Sequence, residues 1–412
     1  LSAGSSSERH NLGLDGATVV LGVCGGIAAY KAVEVCRALV KRGVHVVPVM
    51  TASALRFVGE ATFSALASEP VASSLFGADD PVPHVRLAKR ADAVVVAPAT
   101  ANLLGAYAGG LAGDLLSALL LATTAPVVVA PAMHAEMWEH PAVQDNLRRL
   151  REWGVAVVPP AEGPLAAGDV GVGRLAEAEE IVRALERALG PGDLEGWRVV
   201  VSLGGTREPV DPVRYLGNRS SGRQGLALAE AALARGGEVT VVAAATEVEV
   251  PRECRVVRAE TAEALRRAVL DEANEADVVV MAAAVADFRP KRAAAEKIDK
   301  GTGLSAIELE PTADVLAELG SLAERPYLVG FAAETGLDPD RVAAKRARKG
   351  ADLLVANDVA RPGVGFATPD NAVVIVDQAG VVAEVGPLPK RAVADAVWDL
   401  VVERAKPRRQ QS

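Results

Sequence analysis

The chain has 412 residues, 50% hydrophobic and 24% charged, which is the composition of a globular protein and not of a disordered or collagen-like one. A formal net charge of -9 and only 3% aromatic residues argue against a general nucleic-acid or anionic-membrane binder. Three cysteines without a CxxC pair, and few histidines, argue against a disulfide framework or structural zinc, so the chain reads as cytoplasmic.

In chain order, the Ser-rich segment 1–15 reads as a flexible tail without the apolar core of a signal peptide. Short β-branched runs then alternate with amphipathic stretches. Parallel strands, apolar on both faces, are expected from Ala17, Val44, Ala91, Pro126 and Val155, with a helix over Ala28–Gly43. Segments 93–113 and 115–133 carry no formal charge, but Pro98, Asn102, Gly105, Pro126 and Pro131 interrupt them. Such breakers suit buried strand, loop and helix and not a membrane span. Gly and Pro cluster over Ala188–Trp197, the expected boundary between domains 16–190 and 191–405, and the end from 406 reads as a second loose tail. Beyond the boundary, strands are expected from Arg198, Glu238, Ala276, Tyr327 and Ala351, a helix near Gly222–Arg235, and two strands with a tight turn over Ala372–Gly386. The predicted fold is α/β: two doubly wound, mostly parallel open sheets of Rossmann-like type, the second ending in an antiparallel hairpin.

In open sheets of this kind ligands sit beyond the carboxyl ends of the strands. Gly25 and Gly26 follow the first strand and let backbone N–H groups approach an anion, with a plain helix-opening turn as the alternative. The second strand runs into Thr51 and Ser53 instead of the acidic residue that a dinucleotide ribose wants, and GxGxxG is missing. A mononucleotide such as FMN therefore fits better than NAD, and a two-domain NAD(P) dehydrogenase is disfavoured. Small residues with Thr100 and Asn102 follow the third strand and leave room for a flat ring; Met133 and His134 follow the fourth. His84 precedes the third strand; a histidine there suits acid–base work, though an ordinary loop histidine is the simpler reading.

In the second half, the loop Gly204–Gly225 carries four arginines and runs into a helix, which argues for an ordered anion cradle. Asp287 lies just past a strand, Lys297 and Lys300 follow it, and Lys345 and Lys349 stand at i,i+4 on one helical face. Cations converging on the sheet's carboxyl edge suit a triphosphate; a solvated basic helix is the alternative.

The motifs also carry a resemblance. "GGIAAYK", "PATANLLGAYAGGLAGDLL" and "PAMHAEMW" resemble the homo-oligomeric flavin-containing cysteine decarboxylases. "GGTREPVDPVRYLGNRSSGRQG", "AAAVADF", "EKI", "GFAAET", "KRARKGADLLVAND" and "GFATPDNAVVIV" are similar to the bacterial phosphopantothenate–cysteine ligases. Joined in this order, from about Gly13 to Arg404, they resemble the bifunctional enzymes of bacterial coenzyme A biosynthesis. The resemblance implies ligation of 4'-phosphopantothenate with cysteine through an acyl-cytidylate, using CTP and Mg2+. FMN-dependent oxidative decarboxylation of phosphopantothenoylcysteine to 4'-phosphopantetheine would follow.

By the same resemblance, FMN contacts fall to Gly25, Gly26, Ile27, Ser53, Thr100, Asn102, Ala132 and Met133, with His84 as the active-site histidine. CTP contacts fall to Met281, Ala282, Ala283, Asp287 at the ribose, Lys297, Ala313, Asp314, Val315, Leu316, Phe331, Lys345 and Lys349. Asn218 falls at the activated carboxyl, and Mg2+ is held mainly by the CTP phosphates, with no protein ligand assigned. Two positions depart from the family. His134 stands where the family has the asparagine that holds the substrate carboxylate, and Ala167 where it has a proton-donating cysteine. An imidazole still donates a hydrogen bond, whereas a missing acid costs about 10²–10⁴-fold at the step it serves. These departures leave a second reading open, a ligase whose flavin-binding domain is regulatory or serves assembly only. The resemblance further implies a homo-oligomer, with trimers of the flavin domain and dimers of the ligase domain building a dodecamer.

Overall fold

The computed structural model describes residues 13–76, 81–164, 168, 170–299, 306–358 and 368–408; Ala167 and Lys300 lie outside them. The chain forms two compact units that divide after Pro191.

In the first unit, β1 (Thr18–Val23), β2 (His45–Met50), β3 (Ala93–Ala99), β4 (Val127–Pro131) and β5 (Ala156–Val157) make a parallel sheet ordered β2-β1-β3-β4-β5. Alternate residues of β1 serve opposite faces. Val19, Leu21 and Val23 pack with α1 (Ala32–Lys41), α2 (Glu60–Leu66) and α8 (Ala178–Leu189). Val20 packs on the other side with α3 (Pro83–Arg90), α4 (Ala101–Ala108), α5 (Leu115–Ala122) and α7 (Pro141–Glu152). Both faces are thus covered, which is why these strands read as unbroken apolar runs. The uncharged stretches singled out in the sequence are β3, α4, α5 and β4, buried in this layer.

Three features differ from the sequence reading. The helix expected from Ala28 starts as a 3-10 turn, Ile27–Lys31, and becomes α1 only at Ala32. A short α6 (Ala135–Glu139) follows β4, and β6 (Ala161–Pro164) pairs antiparallel with β7 (Val170–Arg174) in an unanticipated ribbon. Leu14, placed in the expected tail, is buried, and the Gly16 N–H donates to the Gly43 carbonyl at 3.1 Å.

The second unit holds an eight-stranded sheet. Its parallel part is β12 (Arg255–Arg258), β11 (Glu238–Ala243), β8 (Arg198–Leu203), β13 (Val278–Met281), β16 (Tyr327–Glu334) and β17 (Leu353–Asp358), in that spatial order. The C-terminal hairpin, β18 (Asp370–Asp377) and β19 (Gly380–Pro389), extends the same sheet antiparallel from β17. On one face α9 (Arg223–Ala234) and α13 (Lys390–Arg404) pack together, with the Trp398 indole donating to the Leu228 carbonyl at 2.9 Å. On the other lie α10 (Ala262–Ala273), α11 (Val315–Gly320) and α12 (Pro339–Lys349).

The polar loop after β8 is partly regular, since β9 (Arg207–Pro209) and β10 (Tyr215–Gly217) form an antiparallel ribbon; β14 (Phe288–Pro290) and β15 (Leu309–Pro311) form another. The end from 406 is not wholly loose: the Arg408 N–H donates to Asp277 Oδ1 at 2.7 Å. No helix among the described residues is long and apolar enough to cross a membrane.

Candidate functional sites

In each sheet the strand order reverses direction beside the first strand of the unit, at β1/β3 and at β8/β13. Loops leaving the two strands there diverge to opposite faces and open a crevice. Each crevice is a cavity of nucleotide size.

The first cavity has a volume of about 770 Å³. Gly25, Gly26 and Ile27 reach it from the end of β1, Ser53 from β2, Thr100 and Asn102 from β3, and Ala132, Met133 and His134 from β4. The close fit of the first two loops depends on glycine: a Cβ at Gly25 would lie 2.3 Å from Ser53 Cβ and 2.6 Å from its carbonyl carbon. Gly26, in contrast, faces open space, so backbone there is left bare to a ligand. Thr100 caps α4, its hydroxyl accepting from the Leu103 N–H at 3.4 Å.

Cys24 also lines the cavity; burial pushes its thiol up to about 12, with its hydrogen bonds to Thr100 pulling the other way, so it stays protonated and apolar. The apolar wall with Ile27, Ala132 and Met133, and hydroxyls at Thr51, Ser53 and Thr100, match a flat ring carrying a phosphate. The residues present therefore fit a flavin mononucleotide.

His134 precedes α6, and its Nδ1 is hydrogen-bonded to the Glu136 carboxylate, which is held below the usual range by a backbone N–H bond and then by the His134 contact. His84 is not brought to this cavity. It sits in the first turn of α3, a helix that packs on α5, and its Nδ1 is buried without a hydrogen-bond partner among the described residues. Among the lining residues that the sequence reading did not single out are two cations. Lys31 and Arg174 both face Glu177 Oε1, at 3.6 and 3.8 Å. Arg174 comes from the ribbon strand VGVGR, whose glycines hide any strand period.

The second cavity has a volume of about 780 Å³. Asn218, Met281, Ala282, Ala283, Asp287, Ala313, Asp314, Val315, Leu316, Phe331, Lys345 and Lys349 all line it. Buried hydroxyls tie its walls: the Ala283 N–H donates to Ser202 Oγ at 3.1 Å, and the Ala286 N–H to Thr206 Oγ1 at 2.9 Å. Gly222 enters α9 with φ +79°, and a Cβ there would lie 2.2 Å from Thr246 Oγ1. No side chain caps the helix at this point, so its first N–H groups are left for an anion.

Lys297 is the exception among the expected nucleotide residues. It is exposed and outside the cavity, because its segment is pinned elsewhere: the Ile298 N–H donates to Asp211 Oδ2 at 3.2 Å and Arg214 donates to the Ile298 carbonyl at 3.0 Å. The expected surplus of positive charge is also reduced. Lys345 Nζ lies 2.6 Å from Glu334 Oε1, and Lys349 is paired with Asp314. Sequence reasoning missed Gln224, Asn357, Asn371 and Lys390, which line the cavity, the last three being buried. Asn357 carried a signal, an amide ending an otherwise apolar strand. No group of three or more His, Cys, Asp or Glu among the described residues is placed to hold a metal.

Two doubly wound units in tandem, each with a mononucleotide-sized crevice at its switch point, define a two-domain α/β protein of Rossmann-like type. Residues 7–190 match the Flavoprotein family, and residues 194–405 match the DNA/pantothenate metabolism flavoprotein C-terminal domain. The coenzyme A biosynthesis bifunctional protein CoaBC of Mycobacterium tuberculosis (strain ATCC 25618 / H37Rv) is 51% identical over 358 residues, 83% of this chain and 86% of that protein. The protein of that name from Bacillus subtilis (strain 168) is 42% identical over 399 residues, 95% of this chain and 97% of that protein. Among solved structures, the C-terminal domain of CoaBC matches with 35% identity over 52% of this chain and 97% of that chain, at a TM-score of 0.45. The FMN binding protein AtHal3 matches with 34% identity over 41% of this chain and 94% of that chain, at a TM-score of 0.37. The chain belongs to the family of coenzyme A biosynthesis bifunctional proteins. It is an enzyme with decarboxylase and ligase activities, and its flavoprotein unit is a catalytic unit, not an assembly module alone.

Proposed function

We propose that the second unit joins 4'-phosphopantothenate to cysteine at the expense of CTP, and that the first unit, loaded with FMN, decarboxylates the resulting 4'-phosphopantothenoylcysteine to 4'-phosphopantetheine. The observation that carries this reading is convergence. Residues scattered from Gly25 to His134 meet in one cavity, and residues scattered from Asn218 to Lys349 meet in the other.

In the ligase unit a carboxylate must become an electrophile. Transfer of a cytidylyl group to it, with loss of pyrophosphate, gives an acyl-cytidylate that the cysteine amine attacks, releasing CMP. Asp287 takes the ribose, and Met281–Ala283 with Ala313–Leu316 and Phe331 bound the nucleoside. Lys345 and Lys349 supply charge beside it, while Lys297, whose segment is pinned outside the cavity, takes no direct part in this reading. Asn218 offers its amide to the carboxyl as charge builds on oxygen. Mg2+ arrives on the CTP phosphates.

In the decarboxylase unit, bound FMN supplies the two-electron acceptor that makes carbon dioxide loss feasible and returns the pair afterwards. Ser53 and the bare backbone at Gly25 and Gly26 take its phosphate, while Ile27, Thr100, Asn102, Ala132 and Met133 border the ring. His134, oriented by Glu136, donates a hydrogen bond to the substrate carboxylate, and His84 handles a proton. The protein acts in the cytoplasm as a homo-oligomer, with trimers of the flavin unit and dimers of the ligase unit combining into a dodecamer.

The test is direct. Purified protein should be yellow with a flavin band, release pyrophosphate in sustained turnover only when CTP, 4'-phosphopantothenate and cysteine are all present, with no more than about one equivalent per site when cysteine is withheld, and then release carbon dioxide. ATP offered against CTP should compete poorly. A colourless protein, or pyrophosphate release indifferent to cysteine and 4'-phosphopantothenate, overturns the reading.

A further inference from the structure

Asp287 lines the second cavity, yet it is exposed and its carboxylate has no hydrogen bond or ion pair among the described residues. Where that carboxylate stands therefore depends on the main chain that carries it. This stretch runs from the end of β13 at Met281 to the start of β14 at Phe288. It is tied first to the loop after β8: the Ala284 N–H donates to the Gly204 carbonyl at 2.8 Å, and the Ala284 carbonyl accepts from the Thr206 N–H at 3.2 Å.

The last grip before Asp287 is made by two hydroxyls. Ala286 is buried, and both polar groups of its main chain end on threonine side chains. Its N–H donates to Thr206 Oγ1 at 2.9 Å, and its carbonyl accepts from Thr312 Oγ1 at 2.5 Å. The Thr312 N–H in turn donates to the Asp287 carbonyl at 3.0 Å. Thr206 comes from the loop after β8 and Thr312 directly follows β15, so the residue ahead of Asp287 is clasped from two separate elements. Thr206 is only 1% exposed and does not line the cavity. It reaches a ligand there only through the main chain that it holds. A group supported in this way keeps its geometry as long as its support does, and a misplacement of about 1 Å is enough to cost a reaction dearly.

We propose that Thr206, with Thr312, is a positioning residue for Asp287: the two hydroxyls clasp Ala286 and thereby set the carboxylate at the ribose hydroxyls of the nucleotide. This goes further than the ligase reading and rests on its placing of Asp287 at the ribose. Ribose selectivity is then the property that the clasp controls.

The experiment follows pyrophosphate release by the full chain with 4'-phosphopantothenate and cysteine. CTP or 2',3'-dideoxycytidine triphosphate is offered to wild type, Thr206→Val, Thr206→Ser and Thr312→Val. Wild type should prefer CTP by about 10²-fold in kcat/KM, the worth of charge-assisted hydrogen bonds from the ribose hydroxyls. Thr206→Val keeps the shape of threonine but offers the buried Ala286 N–H no acceptor. It should cut the preference about tenfold by weakening the use of CTP, with the dideoxy nucleotide little changed. Thr206→Ser restores the acceptor and should keep the preference within about threefold of wild type. Thr312→Val should shift the preference in the same direction and serves if Thr206→Val does not fold. Equal losses for both nucleotides would make the threonines purely structural and overturn the proposal. So would an unchanged preference in both valine variants. A wild type that uses the two nucleotides alike takes Asp287 off the ribose and the proposal with it, whereas one that never consumes CTP sinks the ligase reading beneath.

Discussion

The side-chain amide of Asn218 donates to the Val285 carbonyl at 2.8 Å, bridging the loop after β8 to the loop after β13 across the switch point of the second sheet. That bond fixes which way the amide faces and uses one of its two N–H groups. The remaining N–H stays available to an oxygen on which charge develops. Asn218→Ala should therefore lower CTP-dependent coupling of cysteine by about 10²–10³-fold, the range seen when one such donor is removed. Decarboxylation of supplied phosphopantothenoylcysteine should be unchanged. Separate assays of pyrophosphate and carbon dioxide release check this, and normal coupling in the variant would remove Asn218 from the site.

A second prediction concerns the contact between the loops that follow β1 and β2. A methyl at Gly25 meets Ser53 at its Cβ and its main chain, atoms that cannot swing aside as a long side-chain end would. The loop carrying Ser53 must move, and overpacking of this kind costs about 1–3 kcal/mol. Gly25→Ala should thus retain FMN roughly tenfold more weakly. Flavin absorbance per chain after gel filtration reads the loss, while CTP-dependent ligation in the same preparation should persist. Full flavin content would show that this close approach does not shape the site.

Legibility in the sequence differs from element to element. The parallel strands were legible because helices cover both of their faces, leaving long Val-rich runs such as β3 that no loop imitates. The ribbons β6–β7, β9–β10 and β14–β15 were not legible, since each strand is three to five residues long and rich in glycine, proline or charge. Cavity-lining residues at strand ends were legible for the same reason the strands were. Lys390 was not, because it reaches the cavity from a helix start 166 residues beyond Gln224, and only the pairing of β17 with β18 brings it there. Lys297 shows the converse: its motif placed it at the nucleotide, while backbone bonds to Asp211 and Arg214 hold its segment outside.

His84 tests whether the two chemistries are separable. It lies in the first unit, on α3, and it lines neither cavity. Its Nδ1 is nonetheless buried without a hydrogen-bond partner among the described residues, an arrangement that costs free energy and calls for an explanation. His84→Asn keeps a polar group of similar reach but cannot exchange a proton near neutral pH. We expect it to abolish carbon dioxide release while CTP-dependent pyrophosphate release continues. Loss of both activities would contradict independent sites, and retention of both would make His84 a bystander.

Asp211 gives a prediction about pH. Its carboxylate is buried and accepts from the N–H groups of Val213 at 2.8 Å, Arg214 at 2.7 Å and Ile298 at 3.2 Å, and from the Arg214 guanidinium at 2.8 Å. Burial alone would push the group up; the three N–H donors and the Arg214 charge outweigh it and hold it below the ordinary aspartate range. A carboxyl whose folded value lies below its unfolded value of about 3.9 contributes stability that is complete above that pH. The contribution is lost as pH falls further, through the folded value. Asp211→Asn puts an amide against donors that want an acceptor, so the segment Asp211–Arg214, which leads to Asn218, should loosen and ligase turnover should fall about tenfold or more. Denaturant unfolding of wild type and variant from pH 7 to about pH 3 isolates the group, because every other carboxylate titrates in both. The stability gap between them should be constant down to about pH 4 and shrink below it. A gap that stays constant to the lowest pH would mean that Asp211 holds the segment by shape and not by charge.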